Sequence, residues 1–290
     1  MSSLVAPLLS WYERAARDLP WRRPDVSPWA VLVSEVMLQQ TPVSRVLPAY
    51  EAWLDRWPAP RDLAAEPAGE AVRMWGRLGY PRRALRLHRC ATIVCDHHGG
   101  ELPRDVETLE RLPGIGSYTA RAIAAFAFKQ CVPVVDTNVR RVVARCEYGQ
   151  GSAWLPSKKR DLHAMLSLLP DDDPDTAARF SVAVMELGAL VCTARAPRCA
   201  DCPIAEGCAW RRSGYPLYDG PSAAAQKFTG TDRQVRGLLM AVLRESREPV
   251  PAAVLAAAWS EETQRERALN SLLADGLVDP LPDGRYALPA

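Results

Sequence analysis

The stretch LERLPGIGSYTARAIAAFAF, Leu109–Phe128, decides how the rest of the chain is read. A short apolar-periodic segment ends in Leu-Pro-Gly-Ile-Gly, and a longer one starts directly after it. Pro113 stops the first helix, while Gly114 and Gly116 permit a tight turn. Such a turn leaves backbone N–H groups pointing outward at the start of the second helix. Leu112, Gly114 and Gly116 then stand where a phosphate oxygen can be held. This is the outline of a helix–hairpin–helix DNA-binding element, although any pair of helices can turn on glycine.

Working outward from that turn, helical periodicity covers almost the whole chain and strand alternation is nearly absent. Helices are expected over 4–18, 28–38, 43–56, 69–77, 81–97, 105–111, 117–128, 136–147, 157–168 and 175–190, joined by short loops rich in Pro, Gly and Asp. RRSGYPLYDGPSAAAQKFTG, after Trp210, reads as a linker. Residues 231–290 read as three helices (231–246, 250–258, 260–275) and a hairpin turning on Pro282-Asp283-Gly284, which is the outline of a winged helix. A chain of 290 residues, 48% hydrophobic and 24% charged, has enough apolar mass for two or three globular domains.

The N-terminus lacks the basic region of a signal peptide, and no apolar run approaches the roughly 18 residues of a membrane span. The chain is therefore expected in the cytoplasm, and its eight cysteines are better read as ligands than as disulfides. Four of them form CTARAPRCADCPIAEGC: Cys192, Cys199, Cys202 and Cys208, spaced C-x6-C-x2-C-x5-C. Four thiolates on so short a tether can hold zinc or a [4Fe–4S] cluster, and the wide first gap with Pro203 favours the cluster. Cys90, Cys95, Cys131 and Cys146 lie scattered and read as small buried hydrophobes. The net charge of +2 hides clustering. Arg73, Arg77, Arg82, Arg83, Arg86, His88 and Arg89 have no acidic residue among them, and Arg140, Arg141 and Arg145 form a second group. Both suggest an anionic partner, nucleic acid first, although a solvated helix face would account for either alone.

Two carboxylates stand out. Glu35, in VLVSEVMLQQTP (31–42), sits in a helix that is apolar almost all round, where a buried carboxylate costs several kcal/mol on the usual order of magnitude. Gln39, Gln40 and Thr41 follow at once. Asp136, in PVVDTNVRRVVAR, precedes a helix that it can cap; the same helix terminus can hold it ionised, and the two roles are compatible.

In order along the chain, these features resemble the endonuclease III superfamily, and more narrowly the MutY-type adenine DNA glycosylases of actinobacterial kind. The matching stretches are DLPWR (18–22), SEVMLQQT (34–41), WGRLGY (75–80), LPGIGSYTA (112–120), VPVVDTNVRRV (132–142) and MELGALVCT (185–193). The resemblance implies a mainly α, two-lobed helix–hairpin–helix glycosylase fold. Residues 1–24 with 131–212 would form an iron–sulfur lobe and 25–130 a six-helix barrel lobe. Residues 213–230 would be a linker, and 231–290 a winged-helix-like α+β unit in place of the family's larger NUDIX-like domain. One [4Fe–4S] cluster would bind Cys192, Cys199, Cys202 and Cys208.

Lyase members carry a nucleophilic lysine where this chain has Tyr118, so the resemblance implies base removal without strand cleavage. The alternatives are an endonuclease III-like oxidised-pyrimidine glycosylase with lyase activity, or an iron–sulfur DNA-binding regulator. The implied partner is duplex DNA with adenine mispaired with 8-oxoguanine or guanine, bound by a monomer in the bacterial nucleoid. An adenine inside a duplex must be flipped out to be reached. Breaking its N-glycosidic bond needs a proton on the base and an anion near the sugar cation. Glu35 would be the acid, because an apolar helix disfavours the charged carboxyl. Asp136 would be the anion, with Tyr118 orienting both. Leu19, Trp21 and Arg22 would line the adenine pocket. Gln40 and Tyr80 would wedge into the duplex, with Gln39, Thr41 and Leu78 beside them. Asn138 and Arg140 would complete the DNA contacts. Three departures stand out: Ser181 and Val182 stand where many members have Asn followed by a Gln or Glu that helps recognise adenine, Pro81 replaces a second tyrosine, and residues 231–290 are too few for a NUDIX-like reader.

Overall fold

The computed structural model describes residues 4–170, 173–218 and 228–290, and most of these are helical, as expected. In chain order they form α1 (Val5–Ala15), α2 (Pro28–Leu38), α3 (Val43–Arg56), α4 (Pro60–Ala64), α5 (Ala68–Trp75), α6 (Arg82–His98), α7 (Val106–Arg111) and α8 (Ser117–Phe126). Then come α9 (Thr137–Cys146), α10 (Lys158–Leu166), α11 (Pro174–Leu190), α12 (Ala209–Arg212) and α13 (Asp232–Glu245). The chain ends with β1 (Val250–Pro251), α14 (Ala252–Ala257), α15 (Glu262–Ala274), β2 (Asp279–Pro280) and β3 (Arg285–Ala287). Of the expected linker 213–230, residues 219–227 lie outside the described residues.

Two short helices, α4 and α12, fall where loops were expected. For α4 the start signals are present: Pro60 takes the first helical position, and Asp62 accepts from the Ala59 N–H at 2.8 Å. A single turn is too short to leave a periodic pattern. The expected helix 250–258 starts instead with β1, which pairs antiparallel with β3 in the order β1-β3-β2. Pro251 has no N–H to donate and is tolerated because β1 is an edge strand.

The chain divides into two compact units. The first comprises Met1–Val31, Arg104–Glu110 and Gly116–Ala223. Its core is built from Val5 and Leu8 of α1, Val139, Val142 and Val143 of α9, Met165 of α10, and Phe180, Val184 and Leu187 of α11. Within it, Glu186 of α11 is fully buried and accepts from Arg17 at 2.6 and 2.7 Å and from Arg22 at 2.9 Å. This pins the segment Leu19–Arg22 to the helix that leads into the cysteine loop.

The second unit comprises Leu32–Pro103, Arg111–Ile115 and Ala224–Ala290. Its core includes Trp53, Trp57 and Trp75, which pack edge to face with centroids 4.7 and 5.7 Å apart. The C-terminal helices and sheet are seated in this unit. Gly69 N–H donates to the Pro289 carbonyl at 2.7 Å, and a Cβ on Gly69 would lie 2.5 Å from that oxygen. Only glycine permits the approach.

Burial pushes the Glu186 carboxyl up, but hydrogen bonds and charge from Arg17 and Arg22 outweigh it and hold the group down to about 2. Because the folded value is depressed, the stabilisation is present above the ordinary carboxylate range and is lost as pH falls towards about 2. Glu186→Gln, which leaves both arginines without a countercharge, is expected to cost about 3 kcal/mol at neutral pH. In denaturant titrations the deficit relative to the parent protein should shrink as pH falls below about 4.

Candidate active site and cysteine loop

The helix that carries Glu35 is as buried as its sequence implies. Ser27 starts it by accepting from Ala30 N–H at 3.2 Å, and Val31 through Met37 are all buried, Glu35 at 7% exposure. Its C-terminal carbonyls, which have no partners within the helix, meet a side chain from α6. Arg83 donates to the carbonyls of Val36 (2.8 Å), Met37 (3.0 Å) and Gln39 (2.7 Å) and to the Thr41 hydroxyl (3.0 Å). The same guanidinium donates to the carbonyls of Leu78 (3.4 Å) and Gly79 (2.9 Å), and lies over the rings of Trp75 and Tyr80. Desolvation lowers Arg83 to about 10, which leaves it a cation at neutral pH.

The sequence reading placed Arg83 in a phosphate-facing cluster; it is instead 6% exposed. Its spacing from Leu87, Cys90 and Val94 on the buried face of α6 was the available signal. Arg73 and Arg86 of that cluster are also used inside the protein. Arg73 binds the Arg244 and Ser246 carbonyls, and the Arg86 Cβ packs where a Gly114 side chain would be.

Arg83 thus joins the two segments expected to enter the duplex. In each, the candidate wedge residue has positive φ, +57° at Gln40 and +49° at Tyr80, in a region that non-glycine residues rarely occupy. Both are exposed, Tyr80 by 50%, whereas Thr41 and Leu78 beside them are buried and Gln39 is half-buried. Backbone strain concentrated at exposed side chains is a mark of functional positions.

Asp136 caps α9, accepting from Val139 N–H at 2.7 Å and from the Asn138 amide at 2.9 Å. Asn138 in turn accepts from Arg141 at 2.8 Å, and Arg141 also donates to the carbonyls of Gly188 (2.7 Å) and Cys192 (2.8 Å). Burial pushes the Asp136 carboxyl up from its ordinary value, against the opposing pull of Val139, Asn138 and Arg141. Tyr118, on the first turn of α8, packs against Ala122, Ala125 and Val134 in the strand-like segment that precedes Asp136.

Leu19 and Trp21 are buried, at 4% and 8%. Arg22 is held by Glu186, and Arg140 by Asp161 at 2.9 Å and by the Trp154 carbonyl, so neither guanidinium is a loose surface cation. In the hairpin, Ile115 N–H donates to the Leu112 carbonyl at 3.2 Å, Leu112 being buried. Gly114 has φ +82°, and an added Cβ would meet that of Arg86 at 2.9 Å. Gly116 is in ordinary extended backbone as the N-cap of α8. Glu110 and Ser117 both accept from Arg121, which ties the helices of the motif together. Ser181 is fully buried and Val182 half-buried, and the Ser181 hydroxyl has no hydrogen-bond partner among the described residues.

Cys192, Cys199, Cys202 and Cys208 line one common pocket. Its other walls are mostly apolar (Val142, Leu187, Val191, Ile204), with Arg145, Arg198 and Arg211 at its edge and no carboxylate or imidazole. Arg145 donates to the Cys192 sulfur at 3.3 Å. An all-sulfur donor set with nearby cations suits an anionic thiolate-bound cluster. Of the other cysteines, Cys90 and Cys146 are buried as expected, burial pushing the Cys90 thiol up to about 12, but Cys131 is exposed.

Comparison with known proteins gives the family and the fold. Residues 33–165 match the HhH-GPD superfamily of base excision DNA repair proteins, and residues 192–208 match the iron–sulfur binding domain of endonuclease III. The chain is 58% identical over 283 residues to an adenine DNA glycosylase of Mycobacterium tuberculosis, covering 97% of this chain and 92% of that one. It is 43% identical to the human adenine DNA glycosylase over 71% of this chain and 39% of that one. A thermostable thymine-DNA glycosylase structure superposes with a TM-score of 0.65 at 26% identity, over 72% of this chain and 95% of that one. A trapped endonuclease III–DNA covalent intermediate shares the fold, with a TM-score of 0.62 at 23% identity over 73% and 96%. Among the described residues no helix is long and apolar enough to cross a membrane. A helix–hairpin–helix protein with a [4Fe–4S] loop at Cys192–Cys208, the chain belongs to the adenine DNA glycosylases of base excision repair.

Proposed function

We propose that the protein removes adenine paired with 8-oxoguanine or guanine in duplex DNA, as a single chain in the bacterial nucleoid, and does not itself cut the strand. The observation that carries this reading is Glu35, buried in an apolar helix whose end is held by Arg83 to the strained Gln40 and Tyr80 segments. Glu35 donates a proton to the leaving adenine, for which a desolvated carboxyl is suited. Asp136 supplies the negative charge that the sugar needs as it becomes cationic. Its environment supports that role: burial opposes the charge more than Val139, Asn138 and Arg141 relieve it. A carboxylate solvated this incompletely gains most when a positive charge develops beside it. Tyr118, where lyase members have lysine, offers no amine for an imine and orients the two carboxyl groups.

Leu19 and Trp21 form apolar walls for the flipped base, and Arg22 is steadied by Glu186. Gln40 and Tyr80 inspect the opposite base, with Gln39, Thr41 and Leu78 fixing their backbone. Leu112, Gly114 and Gly116 present the hairpin to a phosphate, and Asn138 and Arg140 brace the helix behind Asp136. The four thiolates of Cys192, Cys199, Cys202 and Cys208 hold the cluster, which supplies a cross-link for the loop. That loop carries Arg195 and Arg198 towards the DNA backbone.

The test is base release from duplexes with adenine opposite 8-oxoguanine, G, C and T, with alkali to reveal abasic sites. Release from the first two at least tenfold faster than from the others is expected, and equal rates on all four would defeat the mispair assignment. Glu35→Gln should bind the same duplexes within a few-fold of the parent and lose at least a thousandfold in release.

Asp136→Asn separates stability from chemistry. Because the folded carboxyl value is raised, the ionised form costs the fold stability, and the cost appears as pH rises through that value. The Asn variant should therefore match or exceed the parent's Tm at pH 8 while losing base release, with the Tm advantage falling away at acidic pH. An Asn variant less stable at pH 8 than at pH 5, relative to the parent, would contradict this.

A further inference from the structure

Four consecutive carbonyls in the loop after α5 each accept a hydrogen bond from a side chain. Leu78 accepts from Thr41 and Arg83, Gly79 from Arg83 and from Trp75 at 3.0 Å, and Arg77 from Arg45. The fourth, Gly76, accepts from Arg244, at the C-terminal end of α13. Peptide carbonyls in an exposed loop are ordinarily left to water, so a full set of side-chain donors marks a loop whose conformation is imposed. It needs imposing: Gly76, Gly79 and Tyr80 all have positive φ, and Tyr80 is not glycine.

The grip from the C-terminal unit is reciprocal and two-ended. Arg73 of α5 donates to the Arg244 carbonyl and to the Ser246 carbonyl at 2.6 Å, while Arg244 itself is steadied by the Met240 carbonyl at 3.0 Å. Just past the other end of the loop, Arg82 pairs with Asp275 at 3.1 Å, and Arg236 of α13 holds the same carboxylate at 2.6 Å. By contrast, two arginines of α15 find their partners within the same C-terminal segment. Arg267 forms a two-point pair with Asp232 at 2.6 and 2.7 Å, and Arg265 donates to the Trp259 carbonyl. Glu262 and Glu266 on the same helix offset their charge.

We propose that residues 228–290 act as a positioning element for opposite-base inspection, with Arg244 and Asp275 fixing the two ends of the segment Gly76–Arg82 so that Tyr80 keeps its strained backbone. The unit therefore contributes to mispair discrimination without itself reading the DNA. This rests on the reading that Tyr80 inspects the opposite base. Arg244 and Asp275 are positioning residues, and Tyr80 is the group that touches the duplex.

The experiment uses the full-length holoprotein with Arg244→Met, Arg244→Lys, Asp275→Asn and Tyr80→Ala. The quantity measured is the ratio of single-turnover adenine release opposite 8-oxoguanine to that opposite C, with Tm measured on each variant. Arg244→Met and Asp275→Asn should each lower the ratio about tenfold, a displacement of well under 1 Å being enough for a change of that size. Arg244→Lys, which keeps a donor, should recover part of the loss. An unchanged ratio in both Arg244→Met and Asp275→Asn, with Tyr80→Ala lowering it, would overturn the positioning role and leave the Tyr80 reading standing. So would equal slowing on both duplexes, which is what lost stability alone produces. An unchanged ratio in Tyr80→Ala would overturn the Tyr80 reading and the inference with it. Should Arg244→Met fail to fold, Asp275→Asn and Arg244→Lys decide on the same ratio.

Discussion

A cation buried under the C-terminal end of α2 holds the Glu35-bearing unit in shape. Arg83 has no carboxylate partner among its hydrogen bonds; it is compensated by five carbonyls and a hydroxyl. That is an unusual way to bury a guanidinium, and helix geometry explains why it works. The last turn of α2 leaves carbonyls that need donors and carries the negative end of the helix dipole. A planar group with five N–H donors can serve more carbonyls from the two segments at once than the three donors of a lysine ammonium. One side chain thus fixes where the Glu35 helix ends and how the Gln40 and Tyr80 segments leave the core. Their unfavourable backbone angles persist because Arg83, Thr41 and Trp75 over-determine the carbonyls around them.

Three buried or half-buried carboxylates show how environment separates structural from chemical roles. Glu186 receives two arginines and is held down to about 2, an ion pair satisfied within the fold. Asp136 receives an N–H, an amide and one more distant guanidinium, and the balance leaves its carboxyl raised. Glu35 lies in the most apolar helix of the three. A group whose charge the fold has already neutralised can do little for a substrate; one left short of compensation can. That criterion favours the role proposed for Asp136 over one for the better-paired Glu186 on the neighbouring helix.

Much of this was legible in the sequence because it rests on local pattern. The apolar surroundings of Glu35, the Pro-Gly turn before α8, the Asp before α9 and the cysteine spacing are each visible within about twenty residues. What escaped depends on partners far apart in the chain. Arg83 reads as one member of a basic run; its spacing from Leu87, Cys90 and Val94 hints at burial, but the acceptors that make burial possible lie some 44 residues away, at Gln39. Arg22 reads as lining the adenine pocket and Arg140 as a DNA contact, and their internal acceptors Glu186 and Asp161 are distant in sequence. The strand β1 was hidden for another reason: two residues with a proline carry no period, and only pairing with β3 makes them a strand.

The cysteine loop is connected to the carboxylate by a short path. Arg141 binds the Cys192 and Gly188 carbonyls with the same guanidinium that donates to Asn138, and Asn138 donates to Asp136. Arg145, one turn further along α9, spans the carbonyls of Gly151, Thr193 and Ala194 and reaches the Cys192 sulfur. Two successive turns of the helix that Asp136 caps are therefore bolted to the first residues of the loop. Holding Cys192 in place keeps the acceptors of Arg141 in place, and through Asn138 keeps the carboxylate aimed. A cross-link across that loop is then useful without electron transfer, because it steadies at one remove the Asp136 carboxylate for which we propose a place beside the sugar.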